Sequence, residues 1–474
     1  GPIETRRSPR RYSRPMGRTA GETRSEEGDA PARSSRAAVP GLVLICDNGK
    51  PELRATPVLT PGVALGRAPF AGEPLEDDRI SRNHALVKRE VDKWTIIDQG
   101  SRNGTFVDGA RVTGKMSFAL PRVLRVGRSL FLPVSDVRRF LGAKMEQNGT
   151  TILGPTLRAA WSEIERAARF GDVVSLSGES GVGKELAARA FHAFGPHASG
   201  PFIPVNCAAI PQGLAERLLF GARRGAYSGA SVDAEGYVQA ADKGTLFLDE
   251  IGDLDPQVQA KLLRTLEAKE VMPLGASKPR LVDVRFVSAT RDLRGAVEEE
   301  RFRQDLYFRI GRPEVAIPPL RERLEEVPWL LASELERVQP GLKLSAMFIE
   351  ACLLRPWPGN VRELTAEARR AASSAVGARR VSVEARDLSA NAGIGFTDKK
   401  SEGVSGPHLP DPDAIVRTLR EHGGNVTRAA LALGMHRNQL RRWLAKREGQ
   451  TAASNELEGA EPLPEPSPPR GGAS

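Results

Sequence analysis

The alternation of apolar and polar positions changes character twice along this chain, and each change marks a different kind of element. From Gly41 to Leu141 apolar residues come in short runs, GLVLIC, ATPVLT, GVALGR, HALVKRE, KWTIID, GTFVDG, LRVG and SLFLPVS, separated by Gly, Pro and Asp. Many short runs with that punctuation predict a β-sandwich over residues 41–141. Residues 150–388 read differently. The buried strands VVSL, PFIPVN, GTLFLDE and VDVRFVSAT alternate with helical stretches such as ILGPTLRAAWSEIERAARF, ELAARAFHAF and VQAKLLRTLEAKEV. That alternation predicts a parallel α/β sheet, followed by a helical lid from about residue 324. In residues 410–448, Ile415, Leu419, Val426, Ala430, Leu433, Met435, Leu440 and Leu444 fit a three-helix core, and Gly434 marks a tight turn. This is the helix-turn-helix pattern. The predicted fold class is therefore multidomain: a β-sandwich, an α/β domain with a helical lid, and an all-α module.

The intervening stretches lack such periodicity. Residues 1–40 carry nine Arg against five acids and predict a disordered basic tail. Met145 to Thr151 and residues 389–409 read as linkers, and residues 449–474, with PLPEPSPP, as a second disordered tail.

Composition narrows the class. A chain of 474 residues suits about three domains. No apolar run approaches the roughly 20 residues that span a bilayer, and no apolar signal core stands near the start. The expectation is a cytoplasmic protein with no membrane partner. Cys46, Cys207 and Cys352 lie too far apart for a disulfide framework or a metal cluster and read as buried apolar fillers. A net charge of +10 suits a nucleic-acid partner. The eight Lys or Arg against four acids in residues 410–448 point the same way.

Candidate chemistry concentrates between Leu176 and Glu250. LSGESGVGKE is a strand running into a glycine-rich turn and a helix. Gly178, Gly181 and Gly183 free the backbone so that N–H groups of Gly178, Glu179, Ser180, Gly181, Val182 and Gly183 can turn toward phosphates. Lys184 reaches the outer phosphates at the helix N-terminus. Glu185 stands where Ser or Thr usually holds magnesium. GTLFLDE delivers Asp249 and Glu250 to the end of a buried strand, placing Asp249 to hold Mg²⁺ and Glu250 to orient or deprotonate the attacking water. The two pieces together indicate a nucleotide hydrolase.

In the first region, GR (Gly66, Arg67), SRNHA (Ser81 to Ala85) and SRNGTFVDG (Ser101 to Gly109) place guanidinium, hydroxyl and amide groups on loops. That set suits a phosphate monoester on a peptide. The arrangement resembles the forkhead-associated domain, a phosphothreonine-binding β-sandwich. The resemblance implies that Arg67 and Ser81 contact the phosphate, Asn103 holds the peptide backbone, and His84 and Gly104 shape the loops. Arg82 and Arg102 supply flanking charge. Asp108 stands where Asn is frequent.

GESGVGKE, VNCAAI, GAYSGA, GTLFLDEIGDL, FRQDLYFRI, PPLRER and WPGNVREL follow one another as in bacterial enhancer-binding activators of the AAA+ class. Those activators use ATP hydrolysis to remodel RNA polymerase carrying sigma-54, and they commonly carry Glu at the position of Glu185. The resemblance implies that Asn206 switches Glu250 between poses and that Thr290 is a first sensor, with Arg291 in place of the usual Asn. It further implies that Arg303 and Arg309 reach a neighbour's nucleotide in a hexameric or heptameric ring, and that Arg362 is the second sensor. Gly225, Ala226, Tyr227, Ser228, Gly229 and Ala230 correspond to the loop pressed against sigma-54. Tyr227 and Ser228 replace Phe and Thr there, and Ala222 and Arg223 replace a usual His-Glu pair. Residues 410–448 resemble the Fis-type DNA-binding domain, with Arg437, Asn438, Gln439, Arg441 and Arg442 placed to read and grip enhancer DNA. The chain is thus expected to be an activator of sigma-54 holoenzyme under control of a phosphothreonine-containing protein. The altered loop keeps a second reading open, a phosphopeptide-responsive DNA-binding regulator that does not engage sigma-54.

Overall fold

The computed structural model describes residues 37–395, apart from Val91, Thr150, Gln212 and Gly229, together with Thr418. The N-terminal tail before Ala37, most of the second linker, the helix-turn-helix with Arg437, Asn438, Gln439, Arg441 and Arg442, and the C-terminal tail lie outside these residues.

The first ten strands are β1 (Gly41–Asp47), β2 (Lys50–Pro57), β3 (Val63–Gly66), β4 (Asn83–Glu90), β5 (Lys93–Asp98), β6 (Thr105–Val107), β7 (Ala110–Arg111), β8 (Lys115–Phe118), β9 (Leu124–Val126) and β10 (Ser129–Val134). They form two antiparallel sheets, ordered β2-β1-β10-β9-β6-β7 and β3-β4-β5-β8. Leu42, Leu44 and Phe131 from one sheet meet Leu65, Val87, Trp94 and Ile96 from the other in the sandwich core. Side chains alternate across a strand, so the remaining apolar residues of β1 and β10 point outward. Val43, Ile45, Leu130 and Leu132 do so, yet all are buried.

What covers them is the lid of the second region. A hairpin of β11 (Glu146–Asn148) and β12 (Thr151–Leu153) leads into α1 (Pro155–Phe170). The segment expected to be a linker is thus half of a hairpin; Asn148 and Gly149 are its turn signal, and Gly149 takes the left-handed φ of +58°. The parallel sheet is ordered β14-β15-β18-β13-β19. Its strands are β13 (Val173–Ser177), β14 (Phe202–Asn206), β15 (Gly244–Asp249), β18 (Val284–Thr290) and β19 (Glu314–Ala316), with a small ribbon of β16 (Glu270–Val271) and β17 (Arg280–Leu281) beside it. The expected helix VQAKLLRTLEAKEV stops at Ala268, and its last residues form β16.

Helices α1 and α2 (Lys184–Phe194) cover one face of that sheet through Trp161, Ile164 and Phe191. On the other face lie α5 (Pro256–Ala268) and α7 (Gln304–Ile310), through Leu262 and Leu306. Two short helices, α3 (Ala215–Phe220) and α4 (Tyr237–Ala240), and α6 (Leu293–Glu298) complete this body. Arg285 sits fully buried in β18. Its Nη2 donates to the carbonyls of Ala168 and Gly171, each at 2.6 Å, and its guanidinium lies 4.1 Å from the Phe191 ring centroid. A charge inside a buried strand thus serves the carbonyl end of α1.

The lid comprises α8 (Val327–Val338), α9 (Ala346–Leu353) and α10 (Asn360–Gly377), with β20 (Lys343–Leu344) paired to β21 (Ser382–Val383). Leu331, Leu335, Phe348, Ile349 and Trp357 join Val43, Ile45, Leu130 and Leu132 in one continuous core. Polar contacts fasten the same seam. Arg125 Nε donates to Glu350 Oε2 at 2.6 Å, its guanidinium lies 3.9 Å from the Phe106 ring centroid, and Arg122 Nη2 donates to the Arg355 carbonyl at 3.0 Å. The sandwich and the lid therefore share a hydrophobic interior.

Candidate functional site

Parallel pairing aligns the strand ends: Ser177 lies opposite Thr290, and Asn206 opposite Asp249. The loops that carry the candidate chemistry therefore leave the sheet along one edge. After Ser177 the chain turns through Gly178, Gly181 and Gly183 with φ of +155°, +77° and +107°. At Gly181 a side chain is excluded twice, by the left-handed backbone and because a Cβ would lie 2.2 Å from the Gly359 carbonyl oxygen. Helix α2 begins at Lys184, so its N-terminus points at this loop. Lys184 is buried; its Nζ donates to the Gly178 carbonyl at 2.9 Å and lies 3.7 Å from Glu250 Oε1. Glu185 turns away along the helix and pairs with Arg189 at 2.7 Å.

Glu250 holds a left-handed φ of +51°, a conformation that costs energy for a residue with a side chain and clusters at functional sites. Thr290 is buried at the end of β18. The exposed Arg291 joins Glu250, Thr290 and Asp292 around a cleft of about 360 Å³. Asn206 Oδ1 accepts from the Ala208 N–H at 3.0 Å, and no hydrogen bond joins Asn206 to Glu250 among the described residues.

The lid approaches from above. Arg362 Nη1 donates to Ser180 Oγ at 3.3 Å. Arg321, Arg323, Glu326 and Asn360, which carried no assigned role in the sequence, do more of the fastening. Glu179 pairs with Arg321 at 2.8 Å and accepts from Asn360 Nδ2 at 3.0 Å, and these bonds hold its carboxyl below the usual range. Buried Arg323 donates to the Val182 carbonyl at 2.6 Å and pairs with Glu326 at 2.8 Å. Glu326 Oε1 in turn accepts from the Gly154 N–H at 2.9 Å. Burial pushes Glu326 up to about 7, against the opposing pull of Arg323. The motifs PPLRER and WPGN contained Arg321, Arg323 and Asn360, but the strength of an RER or a GN becomes visible only once loop, hinge and α1 meet.

Arg303 pairs with Asp305 at 2.6 Å on an exposed surface, and Arg309 Nη2 donates to the Leu266 carbonyl at 3.2 Å. Neither bonds to this chain's own phosphate loop among the described residues. The GAYSGA turn is closed by Gly225 N–H to the Ala230 carbonyl at 2.9 Å and by Ala230 N–H to the Tyr227 carbonyl at 3.0 Å. Ala226 packs on Gly275, and Ser228 and Tyr227 are exposed, with the Arg217 guanidinium 5.1 Å from the Tyr227 ring centroid.

A second cluster lies on the sandwich. Gly66 lets β3 pass close to the next loop, since a Cβ there would lie 2.0 Å from the Arg82 carbonyl. Arg67 is exposed, and its Nε donates to the Ile80 carbonyl at 3.1 Å. His84 is fully buried: Nδ1 accepts from the Ser81 N–H at 3.0 Å, which leaves Nε2–H to donate to the Gly104 carbonyl at 3.2 Å. One imidazole thus ties the SRNHA loop to the SRNGT loop. Ser81 Oγ accepts from the Arg102 N–H at 3.2 Å, and Asn103 Nδ2 donates to the Arg79 carbonyl at 2.7 Å. Arg67, Ser81, Arg82, Arg102 and Asn103 therefore sit on one braced loop cluster. Asp98, not singled out in the sequence, anchors its far side. Burial would raise Asp98, but hydrogen bonds from the Ser101 and Thr105 hydroxyls and the Ser101 and Gly100 N–H groups outweigh it and hold the carboxyl low. Asp108 Oδ1 accepts from the N–H groups of Arg122 and Val123, a structural role that Asn could also fill.

Three family profiles match the chain in order: the FHA domain over residues 63–130, the sigma-54 interaction domain over 152–316, and the bacterial regulatory protein, Fis family, over 412–446. Nitric oxide reductase transcription regulator NorR2 of Cupriavidus necator is 41% identical over 417 residues, covering 82% of this chain and 77% of that protein. The hydrogenase transcriptional regulatory protein HoxA of the same organism is 40% identical over 308 residues, 62% of this chain and 64% of that protein. The chain thus spans less than two thirds of HoxA. The crystal structure of NtrX from Brucella abortus superposes with a TM-score of 0.47 at 30% identity, covering 63% of this chain and 69% of that one. No helix among the described residues is long and apolar enough to cross a membrane. By its three domains in this order and its match across most of NorR2, the chain belongs to the sigma-54-dependent transcriptional regulators.

Proposed function

We propose that this chain hydrolyses ATP to remodel sigma-54 RNA polymerase holoenzyme while anchored on enhancer DNA, under the control of a phosphothreonine-bearing protein held on its sandwich. One observation carries the reading: Lys184, Glu250, Thr290 and Arg362, from four separate elements, gather about a glycine turn whose Gly181 has no room for a side chain. Backbone N–H groups of the turn hold the phosphates, Lys184 neutralises charge growing on them, and Glu250 accepts a proton from the attacking water at its carboxylate. No cluster of three or more potential metal-ligating side chains exists among the described residues, which fits an ion held by Asp249 with phosphate oxygens and waters. Mg²⁺ there would neutralise phosphate charge; Glu185, paired to Arg189, is not among its ligands.

Arg303 and Arg309 face outward, where they serve a neighbouring subunit's nucleotide in a ring of six or seven. Tyr227 and Ser228 grip sigma-54. Arg437, Asn438 and Gln439 read bases, while Arg441 and Arg442 hold phosphates. Arg67 and Ser81 bind the phosphothreonine, and Asn103 the peptide beside it, with Arg82 and Arg102 adding charge.

The test is open-complex formation on an enhancer template with sigma-54 holoenzyme and ATP, with and without a phosphothreonine peptide. Open complexes that need ATP, sigma-54 and Glu250 are expected. ATP turnover without any capture of sigma-54 would sink the remodelling role in favour of a DNA-binding regulator.

A further inference from the structure

Between sandwich and lid lies a cleft of about 690 Å³. The segment before β4 supplies Arg79, β9 supplies Arg125 and the β9–β10 turn Arg128; the lid supplies Lys343 and Arg386. Three carboxylates answer these five cations. Arg125 is paired with buried Glu350 at 2.6 Å, Arg386 with Glu384 at 2.9 Å, and Arg128 only loosely with the exposed Asp78 at 3.9 Å. Arg79 and Lys343 have no carboxylate partner among the described residues, so the cleft keeps a net charge of two positive. Like charges facing each other across two packed bodies repel, and of the five only Arg125, through Glu350, is described above as fastening the seam. Leu344 and Met347 give the cleft an apolar floor, the mixture of apolar wall and few charges that marks a binding site.

Its position supplies the occupant. Arg79 belongs to both sites: its carbonyl accepts from Asn103 Nδ2 at 2.7 Å, at the edge of the braced loops, and its side chain lines the cleft. A peptide lying on Arg67, Ser81 and Asn103 continues past Arg79 into the space between sandwich and lid. We infer that this cleft receives an acidic stretch of the phosphothreonine-bearing partner, so that one ligand touches the sandwich and the lid together. The inference rests on the phosphopeptide reading above. A volume near 700 Å³ takes a few residues, and its enclosure between two bodies favours a peptide over duplex nucleic acid.

The experiment is calorimetry on the full chain with four peptides: phosphothreonine with neutral flanks, phosphothreonine with acidic residues before it, the same with acidic residues after it, and an unphosphorylated acidic peptide. One acidic-flanked phosphopeptide should bind about tenfold more tightly than the neutral one, as two charge-assisted contacts allow. The double substitution Lys343→Gln, Arg386→Gln should erase that gain while leaving the neutral phosphopeptide and the melting temperature unchanged. Equal affinity for neutral and acidic phosphopeptides overturns the cleft and leaves the phosphopeptide site standing. Equal binding of acidic peptides with and without phosphate, lost in the double substitution and unchanged by Arg67→Ala, together with no binding of the neutral phosphopeptide, supports the cleft and removes the phosphopeptide site. Displacement of the acidic peptide by random duplex DNA, or no binding by any peptide, overturns the inference.

Discussion

Replacing Glu350 tests whether the sandwich and lid are one energetic unit. Both partners of the Arg125–Glu350 pair are nearly buried, with side-chain exposures of 12% and 7%. Its geometry is imperfect, because Glu350 Oε1 finds no hydrogen-bond partner among the described residues. Desolvation therefore offsets most of the attraction, and the intact pair adds little net stability. Removing one member is another matter. Glu350→Ala leaves the Arg125 guanidinium in the seam with only the Gly127 carbonyl at 3.3 Å and the Phe106 ring to answer it. The expected loss is about 3 kcal/mol, the low end for breaking a buried pair, because Arg125 keeps those two contacts. The double substitution Arg125→Met, Glu350→Met removes the stranded charge and refills the volume, and should return to within about 1 kcal/mol of the parent. Denaturant unfolding of variants that each keep one of the chain's five tryptophans, Trp94 in the sandwich or Trp357 in the lid, reads both the cost and whether the two bodies melt together. Additive losses in the double substitution would refute the coupling. So would separate transitions of the two single-tryptophan variants that are otherwise parental.

Glu250→Gln should bind ATP but hydrolyse it at least a hundredfold more slowly, measured by phosphate release beside nucleotide affinity; parental turnover would remove Glu250 from proton transfer. Gly181→Ala should abolish nucleotide binding, because the Cβ meets the Gly359 carbonyl at 2.2 Å, and retained affinity would show that loop and lid part more easily than drawn here. Burial raises Glu326 from 4.5 to about 7, so its folded state holds the proton more tightly than the unfolded chain. Its contribution to stability is thus full below about pH 4.5 and is lost as pH rises through 7, up to about 3 kcal/mol in all. Glu326→Gln should flatten that slope in melts from pH 5 to 8; an unchanged slope would place the titration elsewhere. Ser228→Ala should keep ATPase activity and weaken nucleotide-dependent capture of sigma-54, assayed by co-migration, and unchanged capture would free the hydroxyl of that role.

The fold class was legible because the character of the apolar runs changes from region to region, short punctuated runs first and then buried strands alternating with helices. The phosphate loop was legible because glycine spacing and a lysine at a helix start have few other uses. His84 was read as a loop brace, and its two ring bonds have that form. Other features needed three dimensions. The linker reading of Met145 to Thr151 passed over an Asn-Gly turn because the flanking strands have only three residues each. Arg323, Glu326 and Asn360 act across hinge, loop and α1, so no local pattern marks them. VDVRFVSAT was read as a buried strand, but that its Arg285 answers the carbonyl end of α1 shows only in the packed structure. The seam itself did leave a trace. GLVLICD is apolar without alternation, whereas an antiparallel strand with one wet face alternates. A second covered face was written there before its cover could be known.

That doubly covered strand bears on how such a protein can change over evolution. An input domain attached by a tether can be exchanged like a cassette, and any phosphopeptide reader of similar size would serve. Here the exchange would strip Val43, Ile45, Leu130 and Leu132 of their partners and leave Leu331, Phe348 and Ile349 bare on the lid. A newcomer would have to reproduce the outward faces of β1 and β10 before it could be housed. Sandwich and lid have in that sense become one inherited object, and a core substitution in either strips a partner from the other.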